Sequence, residues 1–184
     1  MSSTLKSLLT CIQSESFQKS FDFWSHSIAN LISESKSSSK IVTLFGNGGS
    51  AADSQHWAAE LMCTYRDRKR APIPALALTT DTSILTAWSN DFDFSTVFSR
   101  QIEALDNVNG LSIGMSTSGN SQNVLLALKR ARSRGAKAVL ISGYTIQKSE
   151  DFDLHVLFPS SDTPLIQTLT QMLYHEVCQH LEHR

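Results

Sequence analysis

His56 and Glu60 stand four residues apart in the stretch "GNGGSAADSQHWAAE", Gly46 to Glu60. On a helix that spacing puts an imidazole and a carboxylate on one face, about 6 Å apart. Such a pair suits a divalent metal such as zinc, or acid–base work, and it also occurs as a plain surface contact. What marks this pair is the turn that opens its helix, Gly46-Asn47-Gly48-Gly49-Ser50. Glycines allow close backbone approach and positive φ, and the first amides of the helix face outward to an anion. The turn lacks the lysine of a Walker loop and is not GxGxxG. A phosphate seat and a tight turn with nothing bound both fit it.

A second stretch, "STSGNS", supplies Ser116, Thr117, Ser118 and Ser121 around one glycine, just ahead of a helix expected from about Asn120. Hydroxyls and helix-terminal amides together hold a phosphate monoester without lysines, whereas capping alone needs a single Ser or Asn. Four hydroxyls exceed the capping need, which points to phosphate. "TTDTS", Thr79 to Ser83, reads as another capped helix entry, and Asn90-Asp91 reads as a turn between helices whose polar groups suit a polyhydroxylated ligand. Gln167 and His175 share the last helix. Eight residues span about 12 Å of axis, so the two meet one ion only if both reach inward or different subunits contribute. His26, His155, His180 and His183 have no comparable setting and read as structural.

Positioning these residues falls to short apolar runs alternating with amphipathic segments. "KIVTLF" (40–45), "ALALT" (75–79), "LSIGMS" (111–116), "AVLIS" (138–142) and "LHVLF" (154–158) have the near-continuous apolarity of strands buried on both faces of a parallel sheet. Between them the periodicity predicts helices at 50–63, about 82–88, 95–105 and 120–134, the last closed by Gly135, with a final helix from about Pro164. Residues 1–38 form an N-terminal helical arm of one or two helices with a break near Ser14–Ser16, closed by the polar run "SESKSSSK" (33–40) read as a loop. The whole implies one domain: a doubly wound α/β sandwich over 39–184 whose ligands sit beyond the carboxyl ends of the strands.

Composition narrows the function classes. The chain has 184 residues, 41% of them hydrophobic and 18% charged, with a formal net charge of -1. A near-zero balance offers no electrostatic case for nucleic acid or an anionic membrane. Cys11, Cys63 and Cys178 are odd in number and widely spaced, as reduced thiols are. "MSSTLKSLLTCIQSES" lacks a basic start followed by an apolar core, and a cytoplasmic protein is the simplest expectation.

The motifs "GNGGSAADSQHWAAEL", "PALALTTDTSILTAWSND", "VFSRQIEAL", "STSGNSQNVLLALKRA" and "PSSDTPLIQ" resemble, in order and spacing, the phosphoheptose isomerases of the SIS sugar-isomerase superfamily, from about Lys40 to Cys178. The resemblance implies a flavodoxin-like fold with a five-stranded parallel sheet, a homotetramer with active sites at subunit interfaces, and conversion of D-sedoheptulose 7-phosphate to D-glycero-D-manno-heptose 7-phosphate. It carries substrate contacts onto Asn47, Gly48, Gly49, Ser50, Glu60, Asn90, Asp91, Ser116, Thr117, Ser118, Ser121 and Gln167. It carries zinc, one ion per subunit, onto His56, Glu60, Gln167 and His175, with Glu60 as base and His175 as acid.

Three regions depart from the family pattern: Thr168 and Thr170 stand where Glu-x-His is usual, Thr64 replaces an arginine, and the loop after Gly143 lacks Asp-Gly-Gly. Non-catalytic SIS-fold relatives are the rival: a replication-initiator-binding protein, which lacks the histidine matching His175, or a regulatory module that senses a sugar phosphate.

Overall fold

A computed structural model describes residues 3–144 and 151–182. The five apolar runs form β1 (Val42–Gly46), β2 (Ala75–Ala77), β3 (Leu111–Met115), β4 (Lys137–Gly143) and β5 (Leu154–Phe158). All neighbours pair in parallel, in the order β2-β1-β3-β4-β5. That is the flavodoxin-like order, and its switch point, where the winding reverses, lies between β1 and β3. The pair ends in register, Gly46 opposite Met115. The glycine turn after β1 and the hydroxyl loop after β3 therefore leave the sheet side by side.

Helices cover both faces. Against one pack α2 (Glu15–Ser37), α3 (Gly49–Met62) and α7 (Thr163–Glu182), burying Ile28, Ile32, Trp57, Leu169, Tyr174 and Val177 over Leu44, Ile113 and Val156. Against the other pack α5 (Val97–Leu105) and α6 (Gln122–Ser133), burying Phe98, Val124 and Leu128 over Phe45 and Leu140. α1 (Ser3–Gln13) precedes α2, and α4 (Thr82–Asp91) lies over the second face without burying a residue. Among the described residues no helix is long and apolar enough to cross a membrane.

Several boundaries differ from the sequence reading for local reasons. The break in the arm falls at Ser14, whose hydroxyl caps α2 by accepting from Phe17 N at 3.4 Å. The serine run read as a loop is helical through Ser37, because Ser33 returns its hydroxyl to Ala29 O and Ser35 is buried, donating to Ile41 O. The arm is no appendage, since α2 contributes Ile28, Ala29 and Ile32 to the main core. β2, an edge strand with one neighbour, is shorter than its apolar run. α5 begins at Val97 after a 3-10 turn at Phe94–Thr96, and α6 begins at Gln122 rather than Asn120. Gly135 takes φ 83° just past α6, as a closing glycine does.

Candidate functional site

The glycine turn is built by backbone need. Gly48 caps α3 with φ 56° and ψ -120°, a conformation that side chains resist, and no side chain caps the helix in its place. Gly49 is held small by contact, because a Cβ there would collide with the side-chain amide of Gln167 on α7. Asn47 is fixed by a partner that sequence reasoning passed over. It exchanges two amide hydrogen bonds with Asn123 of α6, at 2.9 and 2.8 Å, and Asn123 is buried. The pair spans the switch point and ties the two loops together. Ser50 lies buried in the first turn of α3, its Cβ against Gly46, and so faces the sheet.

In the hydroxyl loop Ser116 is buried and donates to Ser121 Oγ at 3.0 Å. Ser121 stands at the N-cap of α6 yet makes no side-chain cap. The capping explanation for the extra hydroxyls therefore fails at the residue best placed to use it. Ser118 Oγ accepts from Asn120 N, and Thr117 Oγ1 receives a long bond, 3.4 Å, from Thr163 at the start of α7. Asp81 caps α4 by accepting from Ile84 N, as the capped entry implies. Asn90 and Asp91 correct the sequence reading: they form the final turn of α4 rather than a turn between helices, and they pair with each other at 2.8 Å. Among the described residues no hydrogen bond joins that pair to the glycine turn.

Farther along α3, His56, Glu60 and His175 come together. One ligand atom from each lies within 4.8 Å of the others. His56 Nε2 sits 3.1 Å from Glu60 Oε1, the i,i+4 contact that the spacing allows. His175 arrives from α7, which runs alongside α3 in the same sense, so Gln167 meets Gly49 at one end and His175 meets the pair at the other. Two imidazoles and a carboxylate at this separation match a donor set known for catalytic zinc, with a fourth position left for water or substrate. The cluster thus fits a divalent metal, and Gln167 is placed by its amide at the glycine turn, just over two helical turns before His175.

Aromatic rings hold both histidines. Tyr65 stacks on His175 at 5.5 Å, and Arg66 lies over Tyr65. Tyr174, fully buried and stacked on Trp57, reaches His56 Nδ1 with its hydroxyl at 2.7 Å. Burial, aided by Asp53 and Glu60, pushes the Tyr174 phenol well up, so it keeps its proton. Burial chiefly, then His56 and Arg66, pull His175 below the ordinary imidazole range against the opposing Glu60. A neutral ring is the form that ligates a cation or takes a proton. His175 also opens onto a cavity of about 510 Å³ beside Phe21, Tyr65, Arg66 and Met172. Another, of about 460 Å³ between α1, α2 and the ends of β4 and β5, includes none of the candidate residues.

The departures from the family pattern are structurally quiet. Thr168 and Thr170 return their hydroxyls to Pro164 O and Ile166 O of their own helix. Thr64 donates to Asp67 O, and Arg66 two residues on supplies a cation near His175. The loop after Gly143 lies largely outside the described residues, as does His183. His155 is buried against Ser142 at 2.8 Å, and His26 packs on His180, as structural histidines do.

A parallel sheet with its switch point between two anion-suited loops, and a metal-type cluster behind one of them, define a flavodoxin-like α/β domain with its candidate site beyond the carboxyl ends of the strands. Residues 25–143 match the family model described as SIS domain. The chain is 49% identical over 145 residues to the phosphoheptose isomerase of Aliarcobacter butzleri, covering 78% of this chain and 76% of that protein. It is 45% identical over 161 residues to that of Geobacter sulfurreducens, covering 86% and 84%. The structure of the phosphoheptose isomerase of Neisseria gonorrhoeae superposes with a TM-score of 0.83 at 33% identity, covering 98% of this chain and 95% of that one. The chain belongs to the phosphoheptose isomerase family of SIS-domain proteins.

Proposed function

We propose that the protein interconverts D-sedoheptulose 7-phosphate and D-glycero-D-manno-heptose 7-phosphate, a step toward the heptose of bacterial surface polysaccharide. The observation that carries this reading is the layout of α3, which begins at the glycine turn and brings His56 and Glu60 to His175 two to three turns later. The phosphate is received by the turn at Asn47, Gly48 and Gly49, with Ser50 in the same helical turn, and by Ser116, Thr117, Ser118 and Ser121. The reducing end then lies toward the cluster, with Gln167 bridging the two ends. Asn90 and Asp91 contribute hydroxyl contacts once subunits assemble.

Isomerisation moves a proton between C1 and C2 through an enediol. Glu60 is the base that carries it, and His175 moves protons at the two oxygens. Glu60 Oε1 faces His56, which leaves the second carboxylate oxygen to work on carbon. His56, Glu60, Gln167 and His175 would hold one zinc ion per subunit, and zinc there supplies polarisation of the carbonyl. Exposed Phe92, Phe94 and Ile84 around α4 are the apolar surface that assembly into a homotetramer would cover, in the cytoplasm.

The test is incubation of the full chain with sedoheptulose 7-phosphate, with and without chelator and added zinc, following the aldose by chromatography. Turnover that chelation removes and zinc restores is expected. A protein that binds the ketose but never forms the aldose would be a sensor, and the enzyme reading would be wrong.

A further inference from the structure

Tyr174 does two things that a core residue alone does not require. Its ring is core material, with no exposure and a stack against Trp57 at 5.5 Å. Its hydroxyl, however, leaves the core and meets Nδ1 of His56 at 2.7 Å, with the two rings edge to face. Trp57 follows His56 on α3 and Tyr174 precedes His175 on α7. The two helices thus interlock through adjacent residues, one of each pair turned inward and the other toward the cluster.

The hydrogen count at His56 then has few solutions. Glu60, when ionised, only accepts, so without a cation the Nε2 facing it carries the proton and Nδ1 offers a lone pair. Tyr174 donates to that lone pair. A cation can take only a nitrogen lone pair, and Nδ1 is closed by the hydroxyl. Coordination through Nε2 moves the proton to Nδ1, which now donates to the phenol oxygen; a hydroxyl can donate or accept, so one contact serves both states.

Resting on the reading of His56, Glu60 and His175 as a metal site, we infer that Tyr174 is a positioning residue for it: its hydroxyl closes Nδ1 of His56, directs a divalent cation to Nε2, and turns from donor to acceptor when the cation binds. The role belongs to binding the cation and is separate from the proton transfers at substrate.

Zinc affinity of the full chain, by competition with a chromophoric chelator, is the first readout. Tyr174→Phe keeps the ring on Trp57 and removes only the hydroxyl, and it is expected to weaken zinc by roughly 10–100-fold, the usual range for losing an outer-shell partner of a ligating histidine. Its melting temperature should fall by no more than about 4 °C. The second readout needs no variant: long-range proton–nitrogen spectra of histidine-labelled wild type should show the His56 proton on Nε2 without zinc and on Nδ1 with it. Equal zinc affinity in Tyr174→Phe, or a loaded ring protonated at Nε2, overturns the inference while leaving the metal site standing. A wild type that takes up no zinc overturns both.

Discussion

At the start of α3 the candidate contacts are backbone amides, glycines and short hydroxyls, supplied by loops that leave β1 and β3 at the same level of the sheet. Two to three turns later the candidates are long side chains drawn from two helices, His56 and Glu60 on α3 and His175 on α7. The first region is held by the strand register and the Asn47–Asn123 pair. The second is held by packing, through Tyr65 on one histidine and Tyr174 on the other. Under the proposed function this difference is a division of labour, in which the first region grips and the second reacts. Substitutions in the two regions should then separate KM from kcat.

Glu60→Gln is the sharpest way to break that division. It preserves shape and removes the charge and the basicity, so kcat should fall by about 10³-fold, within the range general acid–base catalysis contributes, while sugar-phosphate binding stays measurable by calorimetry. Normal kcat in this variant would remove Glu60 from the role of base.

Ser121→Ala probes the other region. Its hydroxyl makes no cap, so α6 keeps its start; the hydroxyl does accept from buried Ser116, and its loss should cost about 1 kcal/mol of stability. A hydrogen bond to a charged phosphate contributes about 1.5–3 kcal/mol, which corresponds to a rise in KM of roughly 10–100-fold with little change in kcat. A loss of melting temperature in place of KM would mean that the loop is architecture only.

Asn123→Ala tests whether the grip depends on the tie between the loops. It leaves Asn47 without either amide partner, at a cost in stability of about 1–3 kcal/mol by thermal melting, and frees Asn47 to leave the turn. KM should rise about 10-fold, less than for the direct contact in Ser121→Ala. An unchanged KM would show that Asn47 needs no such tether.

The two regions were also unequally legible in the sequence. The glycine turn and the hydroxyl loop are contiguous strings, and their partners follow from strand order once the apolar runs are recognised. The His56–Glu60 pair was visible as a helical spacing. The arrival of His175 was not derivable from spacing, because it depends on α3 and α7 lying side by side over a shared core of Trp57 and Tyr174. The roles of Tyr174 and Asn123 are hidden in the sequence for the same reason: both are buried polar residues whose partners lie 118 and 76 positions away. Asn90-Asp91 was misplaced because Asn and Asp favour turns in isolation, and here they close a helix that buries nothing. Ser33–Ser37 misled in the opposite direction, since serine is a poor helix former until its hydroxyl finds a helix carbonyl.

Arg70 gives the smallest and most local test. Its guanidinium donates to the carbonyls of Glu60 and Leu61 at 2.7 and 2.9 Å, at the end of α3 where carbonyls lack helical partners and the dipole is negative. Arg70→Ala frees the Glu60 carbonyl, while Leu61 O keeps its bond from Ile73 N, at about 1 kcal/mol, a drop of about 2–4 °C in melting temperature for a chain of this size. The other end of α3 is anchored separately, by Ser50 N donating to Asn47 O and by the backbone of Gly48. Fraying therefore reaches Glu60 and stops short of the glycine turn. The expected signature is a fall of a few-fold in kcat with KM unmoved, because only the reacting region has lost its footing. A matching rise in KM would show that α3 moves as one rigid body, and grip and chemistry would then be a single mechanical unit.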